Sequence, residues 1–291
     1  MTRIIGVGLG IALGMLPGCG GAPRTLSNLS YDDRSTFARL DVYLPSTPEQ
    51  ARPAVLLIHG GGWNSNDRSL YSHPAIRLAW EGYVTANIDY RLAPASPYPA
   101  AIQDAECALS WFRAHAEEYG FDPARVAVMG YSAGGHLVSA LGVGASVAAW
   151  RPDCAAGSTG PPAAVVSGAG VYDLRTVVQG QPVLDFLGGT LAQQPARYQE
   201  ASPVTHVAAG DPPFLLVHGT ADWYVNARQA VEMKQALASA GVEARLLTLE
   251  QGGHLLNPSS NLADSELEFA TESPEAWIAT LDFLKDTVGA P

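Results

Sequence analysis

Basic residues are scarce in this chain. Lys and Arg number 17 against 28 Asp and Glu, a net charge of −11 with His neutral. No basic cluster stands out, and since a phosphate backbone is held by Lys and Arg, nucleic acid is excluded as a partner. Cysteine is sparse too, with only Cys19, Cys107 and Cys154. There is no His-x-x-x-His spacing and no Cys/His cluster, so the sequence offers no metal site. No internal repeat is present. Long apolar runs are also missing, and the longest, 4–16, is too short to span a bilayer. What remains is 291 residues, 47% hydrophobic and 15% charged, enough for one large α/β core.

The first twenty residues read as a targeting segment, with Arg3 ahead of the apolar run. Leu16-Pro17-Gly18-Cys19 resembles the lipobox of bacterial lipoproteins, with Pro17 where that family usually has a small residue. The resemblance implies that 1–18 is a cleaved signal peptide and that Cys19 carries a lipid. That lipid would be the chain's only membrane attachment, and the location extracytoplasmic: periplasm or outer membrane, or otherwise secreted. Residues 19–35 read as a tether, rich at its start in Gly, Pro and Ser. Outside the cytoplasm Cys107 and Cys154 can pair, or they can be two buried thiols; the sequence leaves both open.

From residue 36 onward the chain alternates between strand and helix patterns. Residues 37–44 alternate apolar and polar, as in a half-buried antiparallel strand. The continuous apolar run at 54–58 predicts a fully buried strand, and largely apolar stretches at 83–88, 126–130, 163–166, 214–217 and 244–249 predict further strands. Helical spacing covers 74–81, 98–119, 132–143, 226–240 and part of 265–288. This order predicts a mostly parallel central sheet with helices on both faces. Residues 174–207 break the rhythm and read as a lid-like insertion over the site.

The polar residues that could do chemistry sit where strands end. Gly130-Tyr131-Ser132-Ala133-Gly134 joins a strand to a helix and fits a nucleophile elbow, although a serine there can also merely cap the helix. Asp222 follows a later strand and His254 the last one. A serine hydroxyl is a weak nucleophile that needs a base, and His254 can serve if an acid such as Asp222 orients it. Asp173 is a rival acid, because it too follows a strand. Glu250 lies too near His254 along the chain. The run His59-Gly60-Gly61-Gly62-Trp63 follows a buried strand, where the N–H groups of Gly61, Gly62 and Ala133 can meet an oxyanion. Trp63, Tyr131, Trp223, Tyr224 and Leu255 flank these residues and could line a substrate pocket or simply pack. Histidines 59, 136 and 218 read as structural, and Asp89, Arg91 and Asp104 as buried polar support.

Three motifs in order, His59-Gly60-Gly61-Gly62-Trp63, Asp89-Tyr90-Arg91-Leu92-Ala93-Pro94 and Gly130-Tyr131-Ser132-Ala133-Gly134-Gly135, resemble the α/β-hydrolase superfamily. Within it they are similar to hormone-sensitive-lipase-like and feruloyl-esterase-like carboxylesterases. The resemblance spans roughly 36–286. It implies Ser132 as nucleophile, His254 as base, Asp222 as acid, no cofactor, and a small-molecule short-chain or aryl ester as substrate. Tyr131 stands where hormone-sensitive-lipase relatives usually have Asp, and a short hairpin around 40–45 replaces their N-terminal helical cap. Both features lean toward the feruloyl-esterase-like and formamidase-like branch. An arylformamidase-type amide hydrolase with the same triad is therefore the alternative. A non-catalytic binding module on this fold usually lacks a triad member or an oxyanion glycine, and here all are present.

Overall fold

A computed structural model describes residues 21–33, 35–47, 51–152, 154–157, 159–254, 256 and 273–291. The expectations for the signal peptide, Cys19 and Leu255 lie outside these residues.

The strands are β1 (Arg24–Ser30), β2 (Arg39–Leu44), β3 (Arg52–Ile58), β4 (Val84–Ile88), β5 (Phe121–Tyr131), β6 (Ala164–Gly168), β7 (Phe214–Gly219) and β8 (Ala244–Leu249). They form one sheet in the order β1-β2-β4-β3-β5-β6-β7-β8. β2 runs antiparallel to both β1 and β4, and the other pairings are parallel. The helices are α1 (Ser72–Trp80), α2 (Ala100–Ala114), α3 (Ala116–Tyr119), α4 (Ala133–Val143), α5 (Gln181–Leu187), α6 (Pro195–Glu200), α7 (Arg228–Ser239) and α8 (Pro274–Thr287).

A parallel sheet needs cover on both faces, and the pleat of β3 shows how it is met. Ala54, Leu56 and Ile58 face a cluster with Phe112 of α2, Leu137 of α4 and Met233 of α7. Val55 and Leu57 face the opposite cluster, with Leu78 of α1 and Phe283 of α8. Every residue of β3 is buried, which is why it reads as an unbroken apolar run.

One reading is corrected. The supposed tether contains strand β1, paired with β2 from Arg24 opposite Leu44 to Ser30 opposite Arg39. As an edge strand it has no fully buried residue and so no apolar alternation to detect. The 174–207 segment, read as a lid-like insertion, carries α5 and α6. Each begins with proline in its first turn, and α5 stops at the left-handed Gly188. Cys107 on α2 and Cys154 are joined in a disulfide with Cα atoms 6.1 Å apart, which closes the question the sequence left open.

Candidate active site

At the end of β5 the chain turns abruptly into α4. Ser132 takes φ 56° and ψ −120°, a conformation disfavoured for a residue with a side chain. Its N–H donates to Gly168 O at 2.8 Å, which pins the turn to β6. The turn closes only because Gly134 has no side chain: a Cβ there would lie 2.1 Å from Ile58 O. The serine is thus held proud of the sheet at its carboxyl edge.

β7 and β8 end at the same edge and bring Asp222 and His254 to it. His254 Nε2 lies 3.1 Å from Ser132 Oγ, and His254 Nδ1 lies 2.8 Å from Asp222 Oδ2. Asp222 Oδ1 accepts from the backbone N–H groups of Tyr224, at 2.9 Å, and Val225, at 2.8 Å. Burial alone would raise the Asp222 pKa. The contacts with His218 and His254 and the Val225 N–H outweigh it and hold the carboxyl well below the usual carboxylate range. Asp222 therefore stays charged, as a group that orients an imidazole and balances its positive charge must. Asp173, the rival acid, is instead paired with Arg175, its Oδ2 accepting from the guanidinium at 2.8 Å.

The glycine loop after β3 forms the opposite wall. His59 stacks on Tyr90 with ring centroids 4.3 Å apart, and its Nδ1–H donates to Gly60 O at 2.7 Å, so it braces the loop. Gly61 closes the turn through its carbonyl, which accepts from Ser65 N. Gly62 has φ +59° and presses so closely on Pro182 that a Cβ would come within 2.8 Å of it. Gly62 and Ala133 line a cavity of about 300 Å³ with Ser132 at its foot, whereas Gly61 is not among its lining residues.

The remaining cavity walls are apolar. Trp63 and Val171 come from the sheet side, and Val177, Val178, Pro182 and Val183 from the segment around α5. Trp223 and Tyr224 stand at the mouth, where Trp223 is 70% and Val178 68% exposed. Of the residues expected to line a pocket, Trp63, Trp223 and Tyr224 do. Tyr131 does not: it lies one residue before Ser132, and its ring points into the core, 5.3 Å from that of His254. Arg91 and Asp104 form an ion pair, at 2.7 Å. Asp89 is bonded to Arg68.

Two residues that sequence reasoning set aside as structural touch this machinery. His218 Nε2 lies 3.2 Å from Asp222 Oδ2. His136 Nδ1 accepts from Trp63 Nε1–H at 3.1 Å, while its Nε2–H donates to Ala201 O at 2.8 Å. The only signal for either was a histidine at a strand end or inside a helix. Among the described residues, no three or more His, Cys, Asp or Glu gather in a way that could hold a metal ion.

Residues 40–237 match the BD-FAE family. The chain is 31% identical over 242 residues to esterase LipC of Mycobacterium tuberculosis, covering 80% of this chain and 58% of that protein. It is 36% identical over 213 residues to the probable carboxylic ester hydrolase LipM of the same organism, covering 70% of this chain and 49% of that one. The chain thus spans about half the length of these curated relatives. Among solved structures, a truncated carbohydrate esterase from gut microbiota superposes with a TM-score of 0.79. That match covers 94% of this chain and 99% of the other at 23% identity, a likeness of fold.

Proposed function

Since the chain belongs to the BD-FAE family and is built on the α/β-hydrolase fold, we propose that it is a serine carboxylesterase that hydrolyses short-chain or aryl esters through an acyl-enzyme. The observation that carries this reading is the unbroken relay from Ser132 Oγ to His254 Nε2 at 3.1 Å and from His254 Nδ1 to Asp222 Oδ2 at 2.8 Å, at the foot of an apolar cavity.

Ser132 Oγ attacks the ester carbonyl as His254 Nε2 takes its proton. Asp222 holds the ring with Nδ1 protonated and balances the imidazolium that forms. The carbonyl oxygen becomes an oxyanion beside the N–H groups of Gly62 and Ala133, with Gly61 supporting the turn. The tetrahedral intermediate collapses, His254 returns its proton to the departing alcohol, and the acyl group stays on Ser132. Water then repeats the sequence and releases the acid.

The esterase names of the curated relatives support the reaction class. The cavity supports the substrate class: about 300 Å³ with walls of Val, Pro and Trp suits a neutral short acyl or aryl group. The Cys107–Cys154 disulfide supports a location outside the cytoplasm. Together with the lipobox-like stretch it favours a lipoprotein anchored at Cys19. Mass spectrometry of the mature N-terminus tests this, and an unmodified Cys19 refutes the anchor.

The deciding experiment is a kcat/KM series on p-nitrophenyl acetate, butyrate and octanoate, methyl ferulate and N-formyl-kynurenine. Ester turnover well above formamide turnover is the expected result. The reverse would make the protein an arylformamidase with the same triad. Ser132→Ala should lower kcat by about 10⁶-fold, as loss of the nucleophile does in serine hydrolases; a variant at near-normal rate sinks the assignment.

A further inference from the structure

Asp222 Oδ2 has two histidines on it. His254 Nδ1 is 2.8 Å away and His218 Nε2 3.2 Å. His218 lies next to last in β7, opposite Thr248 of β8, and is fully buried. Its Nε2 also lies 2.8 Å from Val225 O, while its Nδ1 meets no partner among the described residues. Both neighbours of Nε2 are acceptors, so the ring proton sits on Nε2. The ring is held at Nε2 by both the Val225 carbonyl and the Asp222 carboxylate. It is a fixed donor.

We propose that His218 is a positioning residue for the reaction: its Nε2–H, shared between Val225 O and Asp222 Oδ2, locks the Asp222 turn to the sheet and draws charge away from the oxygen that faces His254. The inference rests on reading Ser132, His254 and Asp222 as the relay. The carboxylate receives the Tyr224 and Val225 N–H groups on Oδ1 and the two histidines on Oδ2. Three of these four donors take no part in the proton transfer, so the carboxylate is stabilised whether or not His254 carries the serine proton. His254 is then left to take the serine proton. Without His218, Oδ2 would bind the charged form of His254 more strongly, and the enzyme would become active only at higher pH. Among the described residues, the other titratable groups facing the relay are the phenols of Tyr131 and Tyr224, whose rings lie 5.3 and 5.2 Å from that of His254.

The test compares His218→Asn, His218→Phe and His218→Gln in the full chain. The Asn amide reaches only the Nδ1 position and Phe has no donor, whereas the Gln amide reaches the Nε2 position. In the Asn and Phe variants the acid limb of the kcat/KM–pH profile should rise by about half a unit or more, with kcat falling and KM little changed. The low-field NMR signal of the proton between His254 Nδ1 and Asp222 should move further downfield. The Gln variant should restore both features. If Phe does not fold, the Asn and Gln pair decides. Wild-type positions of limb and signal in the Asn variant would overturn the proposal, as would a Gln variant shifted as far as Asn, since ring shape would then matter rather than the donor. The NMR signal reads the His218 contact even if no ester is turned over, so failure of the esterase reading and failure of this proposal are separable.

Discussion

His136 takes no proton in the relay, yet it holds the wall beside it, between the Trp63 indole and Ala201 O. Burial lowers its pKa from 6.5 to about 4, against the opposing pull of the Ala201 carbonyl. An unfolded chain takes up this proton as pH falls through 6.5, whereas the folded chain resists until about 4. The contribution is therefore whole above pH 6.5 and lost as pH falls to about 4, up to ~3 kcal/mol from this one ring. Burial shifts His59 in the same direction. The urea midpoint should therefore drop steadily between pH 6.5 and 4.5, and less so in His136→Gln. A wild-type midpoint that stays level would refute the assignment. At this scale the sequence was legible where a residue sat in a motif at a strand end, as Ser132, Asp222 and His254 do. His136 and His218 were not legible as supports. The Trp63 and Ala201 partners of His136 lie 73 and 65 residues away along the chain, and no local spacing encodes them.

The segment around α5 is tied to the glycine loop at several points. Phe186 stacks on Trp63 with centroids 4.6 Å apart and planes 11° apart, and Asn64 Nδ2 donates to Asp185 Oδ2 at 3.0 Å. Phe186→Ala should cost about 3–5 kcal/mol as a buried aromatic deletion. It should also lower kcat/KM beyond any loss of folded protein, because Trp63 loses its stacking partner; circular dichroism alongside kinetics checks both. Val183→Trp should fill part of the cavity, sparing acetate and penalising octanoate; an unchanged ratio of the two kcat/KM values would place the acyl group elsewhere. Buried strands were the easiest elements to read, since burial on both faces imposes an apolar run. β1 escaped because an edge strand with no buried residue imposes no such run. α5 and α6, at seven and six residues, are too short to show a helical period.

Across the whole molecule the disulfide ties α2 to the loop after α4, closing 47 residues of chain. In the chain-entropy account such a loop contributes about 4 kcal/mol, chiefly by restricting the unfolded state. The double variant Cys107→Ser/Cys154→Ser should lower the unfolding free energy by an amount of that order, and a reductant should do the same to the wild type but not to the variant. An equal urea midpoint in wild type and variant would show that the bond adds nothing. The relay spans the same architecture. Ser132 follows β5, Asp222 follows β7, and His254 follows β8, the last strand of the sheet. A growing chain therefore carries its serine for more than a hundred residues before the histidine that arms it has been made. Until β8 has docked beside β7 there is no base within reach of that hydroxyl. On the proposed reading the unfinished protein is chemically mute, and hydrolysis can begin only once β8 has brought His254 to Ser132.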